Sequence, residues 1–475
     1  MKHFSGSVFP RWLVCSILIL GVAHAATTRP PNIVVIISDD QGYADIGFNP
    51  HHPKDVSTPH LDALAREGVW FSQAYTSGNV CSPTRAGLLT GRYQQRAGVY
   101  TAGEGGSGMS GTEKIIPRFL KPAGYVSGAF GKWHVGLTVE QGPIGRGYDE
   151  SYGFLGRGGH DYFNLSENDE KFGHPIYRGR TIIKDQGYLT TRLTEEATAF
   201  IRSRKAGAFH LYLAYNAVHA PAQAPQEDID RIRKQYPDIP DSRVVLMAML
   251  HHLDLGVGRV VETLKSEGLW ENTLLFFLTD NGGAKAMNAN NAPLRGFKAT
   301  NYEGGIRTPF VVSWPAKFKG GRSIDTPVIS LDIFPTALDA AGITMPTDKP
   351  LDGKSLIPLL TGKTTQHHAT LYWSEGGESG SWAVRQGDWK LVGEKTTKEL
   401  FNLARDPAEK SNLASQQAEK VAELTRLYDA WLNQMAEPLS GQPKRFGSPA
   451  SPDARRKDRD QKRKEKKAER KAPKE

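Results

Sequence analysis

Ile33-Val34-Val35-Ile36-Ile37-Ser38-Asp39-Asp40-Gln41-Gly42 decides the fold class. Five consecutive β-branched residues read as a strand buried on both faces, because a half-exposed strand would alternate with polar residues. The run stops at two acidic residues and a glycine turn. Moving outward, Thr58-Pro59 opens a helix through Leu61, Leu64 and Ala65, and Gly68 stops it. Tyr125 to Phe130 is a second strand, ending at Gly131-Lys132-Trp133-His134. Residues 188–204 read as a helix, followed by a strand from Phe209 to Tyr215 that runs into Asn216-Ala217-Val218-His219-Ala220-Pro221. A long helix over 242–268 precedes Thr273 to Leu278, which leads into Thr279-Asp280-Asn281-Gly282-Gly283. Apolar strands alternating with helices call for a mostly parallel α/β sheet flanked by helices. In open sheets of that kind, ligands bind beyond the carboxyl ends of the strands. Asp39, Asp40, Lys132, His134, His219, Asp280 and Asn281 are therefore predicted to meet at one edge of the sheet.

Charge excludes one class of partner. The formal net charge is +9, but residues 451–475 hold 12 Lys and Arg against 6 Asp and Glu, and Lys2 and Arg11 add two more positive charges. Residues 26–450 are left near +1, so the body is not a nucleic-acid binder. Residues 1–25 read as a signal peptide, with Lys2 and Arg11, an apolar run from Trp12 to Val22, and Ala23-His24-Ala25 as the cleavage site. The expected location is periplasmic or secreted, with no membrane span. Residues 26–350 are expected to form the catalytic domain and 364–440 a smaller C-terminal α+β subdomain. Its strands are predicted at Thr370 to Ser374, Ser381 to Arg385 and Trp389 to Val392, with a helix near 415–434. Residues 441–475 read as a basic, solvated tail.

Gly78-Asn79-Val80-Cys81-Ser82-Pro83-Thr84-Arg85 carries the chemistry. Ser82 suits an N-cap and Pro83 the first helical position, which puts Cys81 just outside the positive end of a helix. Such an end attracts an anion and lowers a thiol's pKa. A lone cysteine is more often a small buried hydrophobe. The chain has only Cys15 and Cys81, however, and Cys15 falls in the signal segment. A sole cysteine in an exported protein asks for a chemical explanation.

Cys81-x-Pro83-x-Arg85 followed by Leu89-Thr90-Gly91-Arg92 resembles the signature of the formylglycine-dependent type I sulfatases, of the alkaline-phosphatase superfamily. Thr84 stands where many members carry serine. The resemblance implies an alkaline-phosphatase-like fold and a sulfuric ester hydrolase whose nucleophile is Cα-formylglycine, made from Cys81 by a formylglycine-generating or equivalent maturation enzyme. It further implies one divalent cation, usually calcium, held by Asp39, Asp40, Asp280, Asn281 and modified Cys81. An all-oxygen set of this kind suits a hard cation, and no Cys/His cluster competes for zinc. Arg85, Lys132, His134, His219 and Lys298 are implied as the sulfate and proton-transfer residues. Phe401-Asn402-Leu403, Asp406-Pro407 and Asn412-Leu413 resemble the family's C-terminal subdomain.

Each piece has a bland alternative. Asp39-Asp40 could cap a helix, Asp280-Asn281-Gly282-Gly283 is an ordinary turn, and Lys298 would normally be solvated. Jointly these readings fail, because every residue falls in the family's order. The implied substrate is a sulfated polysaccharide or glycosaminoglycan fragment. Gly158-Gly159-His160-Asp161-Tyr162-Phe163 supplies His160 and Asp161 as candidate sugar contacts. Two alternatives remain: a phosphonate monoester or phosphodiester hydrolase of the same superfamily, or a non-catalytic sulfated-glycan-binding protein in which Cys81 stays unconverted.

Overall fold

The computed structural model describes residues 1, 3, 29–106, 108–156, 158–166, 174–376 and 380–444. The expected signal segment and basic tail fall almost wholly outside them.

Six strands position the site: β1 (Asn32–Ser38), β2 (Val126–Lys132), β3 (Glu150–Phe154), β4 (Phe209–Ala214), β5 (Thr273–Thr279) and β6 (Phe310–Ser313). They form the centre of a ten-stranded sheet and lie in the order β3-β2-β4-β1-β5-β6. The first five run parallel, whereas β6 is antiparallel to β5. Antiparallel strands also close the far margin beyond β3, where Ile176–Arg178 and Thr181–Ile183 pair. The sheet is thus mixed at its margins and parallel where the predicted loops emerge. Register levels those loops: Ile37 pairs with Ala214 and Leu278, and Gly131 pairs with Ala214.

The β-branched run of β1 is buried on both faces, as two-sided cover requires. Val34 and Ile36 point into one core with Leu211, Leu213, Leu275 and Phe277. Ile33, Val35 and Ile37 point into the other with Tyr212, Ala214, Leu274 and Phe276. Helices α2 (Leu189–Arg204) and α3 (Asp241–Ser266) cover the first face, and α1 (Cys81–Thr90) lies on the second. Helix α3 is long and apolar enough to cross a membrane by length and composition, yet its Val244, Leu246, Leu250, Leu253 and Val257 are buried in the core. Its Asp254 accepts hydrogen bonds from the N–H groups of His60 and Leu61 at 3.2 and 2.8 Å. A carboxylate at that helix start satisfies donors with no intrahelical partner.

The predicted C-terminal strands occur at Thr370–Ser374, Trp382–Gln386 and Trp389–Glu394, and a fourth, Thr397–Asn402, completes an antiparallel meander covered by the helix Ala418–Leu432. The fourth strand escaped the sequence reading because Thr397-Lys398-Glu399 is polar and exposed at its outer end. A buried ion network ties this sheet to the rest of the chain. Lys390 Nζ lies 2.9 Å from both Glu303 Oε1 and Glu409 Oε1, and Tyr75 donates to Glu303 at 2.7 Å. Burial pushes the Glu409 carboxyl up to about 7, even with Lys390 opposing it. Lys390→Met removes the cation shared by two buried carboxylates and is expected to cost about 3–5 kcal/mol. Denaturant unfolding checks this, and a loss under about 1 kcal/mol would show that the carboxylates relax by sharing a proton.

Candidate active site

The loops after β4, β1 and β5 are laced together by their own backbones, and the β2 loop emerges beside them. Asp39 N–H donates to Ala217 at 2.9 Å, Val218 N–H to Asp39 at 2.7 Å, and Asp280 N–H to Ser38 at 3.1 Å. Parallel register forces this meeting, because all four strands end at one level. Asp39, Asp40, Asp280 and Asn281 are each no more than 3% exposed. Asp40 and His134 both have positive φ, 61° and 56°, a region most side chains avoid. Backbone strain of that kind is typical of functional loops.

The carboxylates are interleaved with cations. Arg85 Nε and Nη2 reach Asp280 Oδ2 at 2.9 and 2.8 Å, and Nη2 lies 3.5 Å from Asp39 Oδ2. Arg85 Nη1 also donates to the Lys132 carbonyl at 2.9 Å. Lys132 Nζ bonds Asp39 Oδ2. Lys298 Nζ is 2.7 Å from Asp40 Oδ1, and His219 Nε2 is 3.6 Å from Asp40 Oδ2. Asn281 Nδ2 donates to Asp40 Oδ1 at 2.7 Å. Of the candidates, Asp39, Asp40, Cys81, Arg85, Lys132, His219, Asp280, Asn281 and Lys298 lie in this one constellation. His134 joins through Ser82, whose hydroxyl donates to its carbonyl at 2.7 Å.

The charges tune one another. Burial alone would raise Asp39, but Lys132, His219 and Arg85 hold its carboxyl well below the usual range. Burial and neighbouring Asp39 push Asp280 up to about 6. Burial, then Lys132 and Arg85, drives His134 well below an ordinary imidazole, so it is neutral at pH 7. Burial and Lys132 also lower His219, although Asp39 and Asp40 oppose them. Its Nδ1 donates to the Ala220 carbonyl at 2.7 Å, which leaves the Nε2 lone pair facing the pocket. Burial disfavours charge on Lys298, but Asp40 outweighs it and keeps the ammonium protonated.

Two sequence expectations change. Helix α1 begins at Cys81 itself, with Val80 as its cap, so Ser82 lies inside the helix and its hydroxyl ties down the His134 loop instead of capping. Cys81 is 3% exposed, and burial pushes its thiol up despite the helix end and the nearby lysines. Desolvation of a thiolate outweighs a partial charge at a helix terminus. The unmodified side chain is therefore held as a poor nucleophile. Thr84 in place of serine costs nothing visible, since its hydroxyl bonds the Gly78 backbone at 3.1 and 3.2 Å.

His160 and Asp161 are engaged within their own loop. Both His160 nitrogens meet carbonyls, of Asp161 at 2.6 Å and His174 at 2.7 Å. Asp161 accepts from the Phe163 and Asn164 N–H groups and from Gln223. These contacts tie both side chains into the loop. Tyr162 was passed over, yet its hydroxyl donates to the Asn216 and His219 carbonyls at 2.8 and 2.9 Å and so positions His219. Asn291 was missed as well. Its Oδ1 accepts from Tyr43 and Gly283 N–H at 3.1 and 2.9 Å, joining the two acidic loops. Nothing in one polar loop announces either contact, because both depend on long-range folding.

The donor set fits a hard cation. Asp39 Oδ1 and Asn281 Oδ1 are buried with no hydrogen-bond partner among the described residues, and donor atoms of Asp39, Cys81 and Asp280 lie within 4.8 Å of one another. A second cluster, Asp332 with His367 and His368, went unseen in the sequence. Both imidazoles reach Asp332, at 3.1 and 2.7 Å, and the Ile329 and Lys354 N–H groups occupy the same carboxylate. Four donors saturate it, so it reads as a structural tie beside the helix Ile333–Ala340.

Comparison with known proteins agrees with this geometry. The family model "Sulfatase" matches residues 31–343, and "N-sulphoglucosamine sulphohydrolase, C-terminal" matches 297–437. The N-acetylgalactosamine-6-sulfatase of Mus musculus is 32% identical over 370 residues, covering 72% of this chain and 68% of that protein. The Homo sapiens protein of the same name is 30% identical over 467 residues, covering 86% of each. A crystal structure of Ps i-CgsB in complex with k-i-k-neocarrahexaose is 32% identical with a TM-score of 0.82, covering 91% of this chain and 98% of that one. The helix-flanked sheet with its small C-terminal sheet is the alkaline-phosphatase-like fold these proteins share. With a sulfatase model spanning most of its length and relatives this similar across both of its sheets, the chain belongs to the sulfatase family.

Proposed function

We propose that this chain hydrolyses sulfate esters of a carbohydrate, with Cys81 oxidised to Cα-formylglycine and a calcium ion held by Asp39, Asp40, Asp280, Asn281 and that residue. The observation that carries it is the interleaving of three carboxylates with three cations around Cys81, with Asp39 Oδ1 and Asn281 Oδ1 left without a hydrogen-bond partner among the described residues. Asp39, Asp40 and Asp280 cancel Arg85, Lys132 and Lys298, so the pocket has little net charge by itself. A bound divalent cation would make it strongly positive and would polarise a sulfate oxygen and the nucleophile's hydroxyl. That charge matches one sulfate ester plus one deprotonated oxygen.

The chain's own residues then divide the work. Arg85 holds Asp280 in place and stands next to Cys81, where it can steady the attacking hydroxyl. Lys132 can release Asp39 to a cation and turn its ammonium to a sulfate oxygen. Asp280 accepts the hydroxyl proton. His134, neutral at pH 7, can take the proton of the second hydroxyl as sulfate departs. His219 and Lys298 stand at the pocket mouth, 15% and 21% exposed, on the side open to a leaving alkoxide. Export to the periplasm or beyond, removal of residues 1–25, division into 26–350 and 364–440, and a formylglycine-forming maturation partner complete the reading.

The test compares 4-nitrophenyl sulfate and sulfated disaccharides with bis(4-nitrophenyl) phosphate. Sulfate turnover should dominate in kcat/KM; a preference for the phosphate diester would assign the chain to diester hydrolysis. Metal binding offers a second check. Ligand carboxylates must be ionised, and Asp280 sits at about 6 without metal. Calcium affinity of chelated protein should be flat above pH 6 and fall about tenfold per pH unit below it. Calorimetric titration showing the same affinity at pH 5 and pH 7 would remove Asp280 from the ligand set.

A further inference from the structure

A groove of about 470 Å³ runs beside the pocket, and the geometry points to its use. One wall is the segment 288–297, which ends one residue before Lys298, whose ammonium bonds Asp40. The groove wall therefore runs straight into a residue of the pocket. The wall is fixed directly to the acidic loops. Besides the Asn291 bridge, Ala44 N–H donates to the Asn290 carbonyl at 2.8 Å. A Cβ on Gly42 would come within 2.3 Å of that carbonyl, and one on Gly283 within 2.6 Å of Ala289 Cβ. Two glycines thus let the wall close onto the strand ends that carry Asp40 and Asn281.

The lining has a definite chemistry. Phe297 is 37% exposed, and the exposed Lys285 ammonium lies 5.3 Å from its ring centroid. Arg243 is only 6% exposed and neutralised by Asp45 and Asp55 at 2.7 and 2.6 Å, yet its Nη2 has no hydrogen-bond partner among the described residues. Asn290 uses its Oδ1 on Ala292 N–H, and its Nδ2 has no partner among the described residues. An exposed aromatic ring, a cation with no carboxylate partner among the described residues and an unused amide donor suit a flat, hydroxylated, anionic ligand better than an apolar one.

We propose that this groove is a carbohydrate subsite, binding the sugars that continue the substrate chain beyond the one whose sulfate enters the pocket. Phe297 stacks on a sugar face, Lys285 meets a further sulfate or carboxylate, and Asn290 donates to a hydroxyl. This deepens the proposed sulfatase function and rests on it. The enzyme then prefers a chain over an isolated sulfated sugar.

The experiment uses hexasaccharides and disaccharides of sulfated galactan and of chondroitin sulfate, with 4-nitrophenyl sulfate as a reference that cannot reach the groove. The active enzyme should favour at least one hexasaccharide over its disaccharide by about tenfold or more in kcat/KM. Phe297→Ala combined with Lys285→Ala should erase that preference, a loss of roughly tenfold or more, and leave 4-nitrophenyl sulfate unchanged. A hexasaccharide preference that survives both substitutions, or is absent at the start, overturns the subsite. Equal losses on hexasaccharide and 4-nitrophenyl sulfate overturn it too, since the substitutions then act through the pocket. Binding separates this from failure of the sulfatase reading. Hexasaccharide affinity in a Cys81→Ser background, with and without the two substitutions, judges the groove even if no sulfate ester is turned over. Unchanged or undetectable binding there counts against it.

Discussion

Cys81→Ala protein is expected to fold and to lose turnover by roughly 10⁶-fold, the scale seen when a catalytic nucleophile is removed. Cys81 is a free cysteine among the described residues and a small side chain at the first turn of α1. Its truncation should cost no more than about 1 kcal/mol of stability, so a melting curve near the parent's separates chemistry from folding. Cys81→Ser should be as inactive, because a serine hydroxyl is not a substitute for the hydrated aldehyde. The thiol itself is no rival nucleophile, as burial holds it protonated. Mass spectrometry of the peptide across Cys81 should find the oxidised form in active preparations, in proportion to their activity. Substantial turnover by the alanine variant would end the formylglycine mechanism.

The second large effect separates leaving-group chemistry from sulfate binding. His219→Ala or Lys298→Ala should lower kcat/KM for a sugar sulfate by about 10²–10⁴, the usual worth of general acid help. The same variants should lose much less on 4-nitrophenyl sulfate, whose phenolate leaves without a proton. Arg85 and Lys132 act on the nucleophile and the sulfuryl group, which both substrates share, so their replacement should damage both alike. The structure adds a pH signature. Burial and Lys132 hold the His219 pKa below 6.5 in the free enzyme, and kcat/KM reports free-enzyme ionisations. If protonated His219 is the acid, kcat/KM for the sugar sulfate should fall as pH rises through a value below 6.5, with no matching fall for the aryl sulfate. Equal losses on both substrates for His219→Ala would leave it a sulfate ligand only.

Local signals carried much of this molecule. A β-branched run with no polar alternation has one good use, a strand covered on both faces, and β1 is that strand. The strand-helix alternation dictated a parallel sheet, and a parallel sheet puts its strand ends on one edge. Asp39, Lys132, His219 and Asp280, far apart in sequence, could therefore be brought together on paper. The antiparallel hairpin at the far margin and the polar fourth strand of the C-terminal sheet were not legible, because edge strands are held by their neighbours and not by their own composition.

By itself, the sequence determined that the strand ends carrying Asp39, Lys132, His219 and Asp280 would share one edge, because strand-helix alternation makes neighbouring strands parallel. It did not determine the state of those residues. The helix starts at Cys81 and not at Pro83, and the Ser82 hydroxyl bonds a carbonyl 52 positions away instead of capping. The raised thiol, the neutral His134 and the Asp280 carboxyl near 6 come from depth of burial and from which cation lies against which oxygen. His160 and Asp161 are each tied to a distant partner, the His174 carbonyl and the Gln223 amide, that their own loop does not announce. Tertiary structure alone decided these points, because desolvation and hydrogen-bond pairing depend on distances between residues that the chain order leaves free.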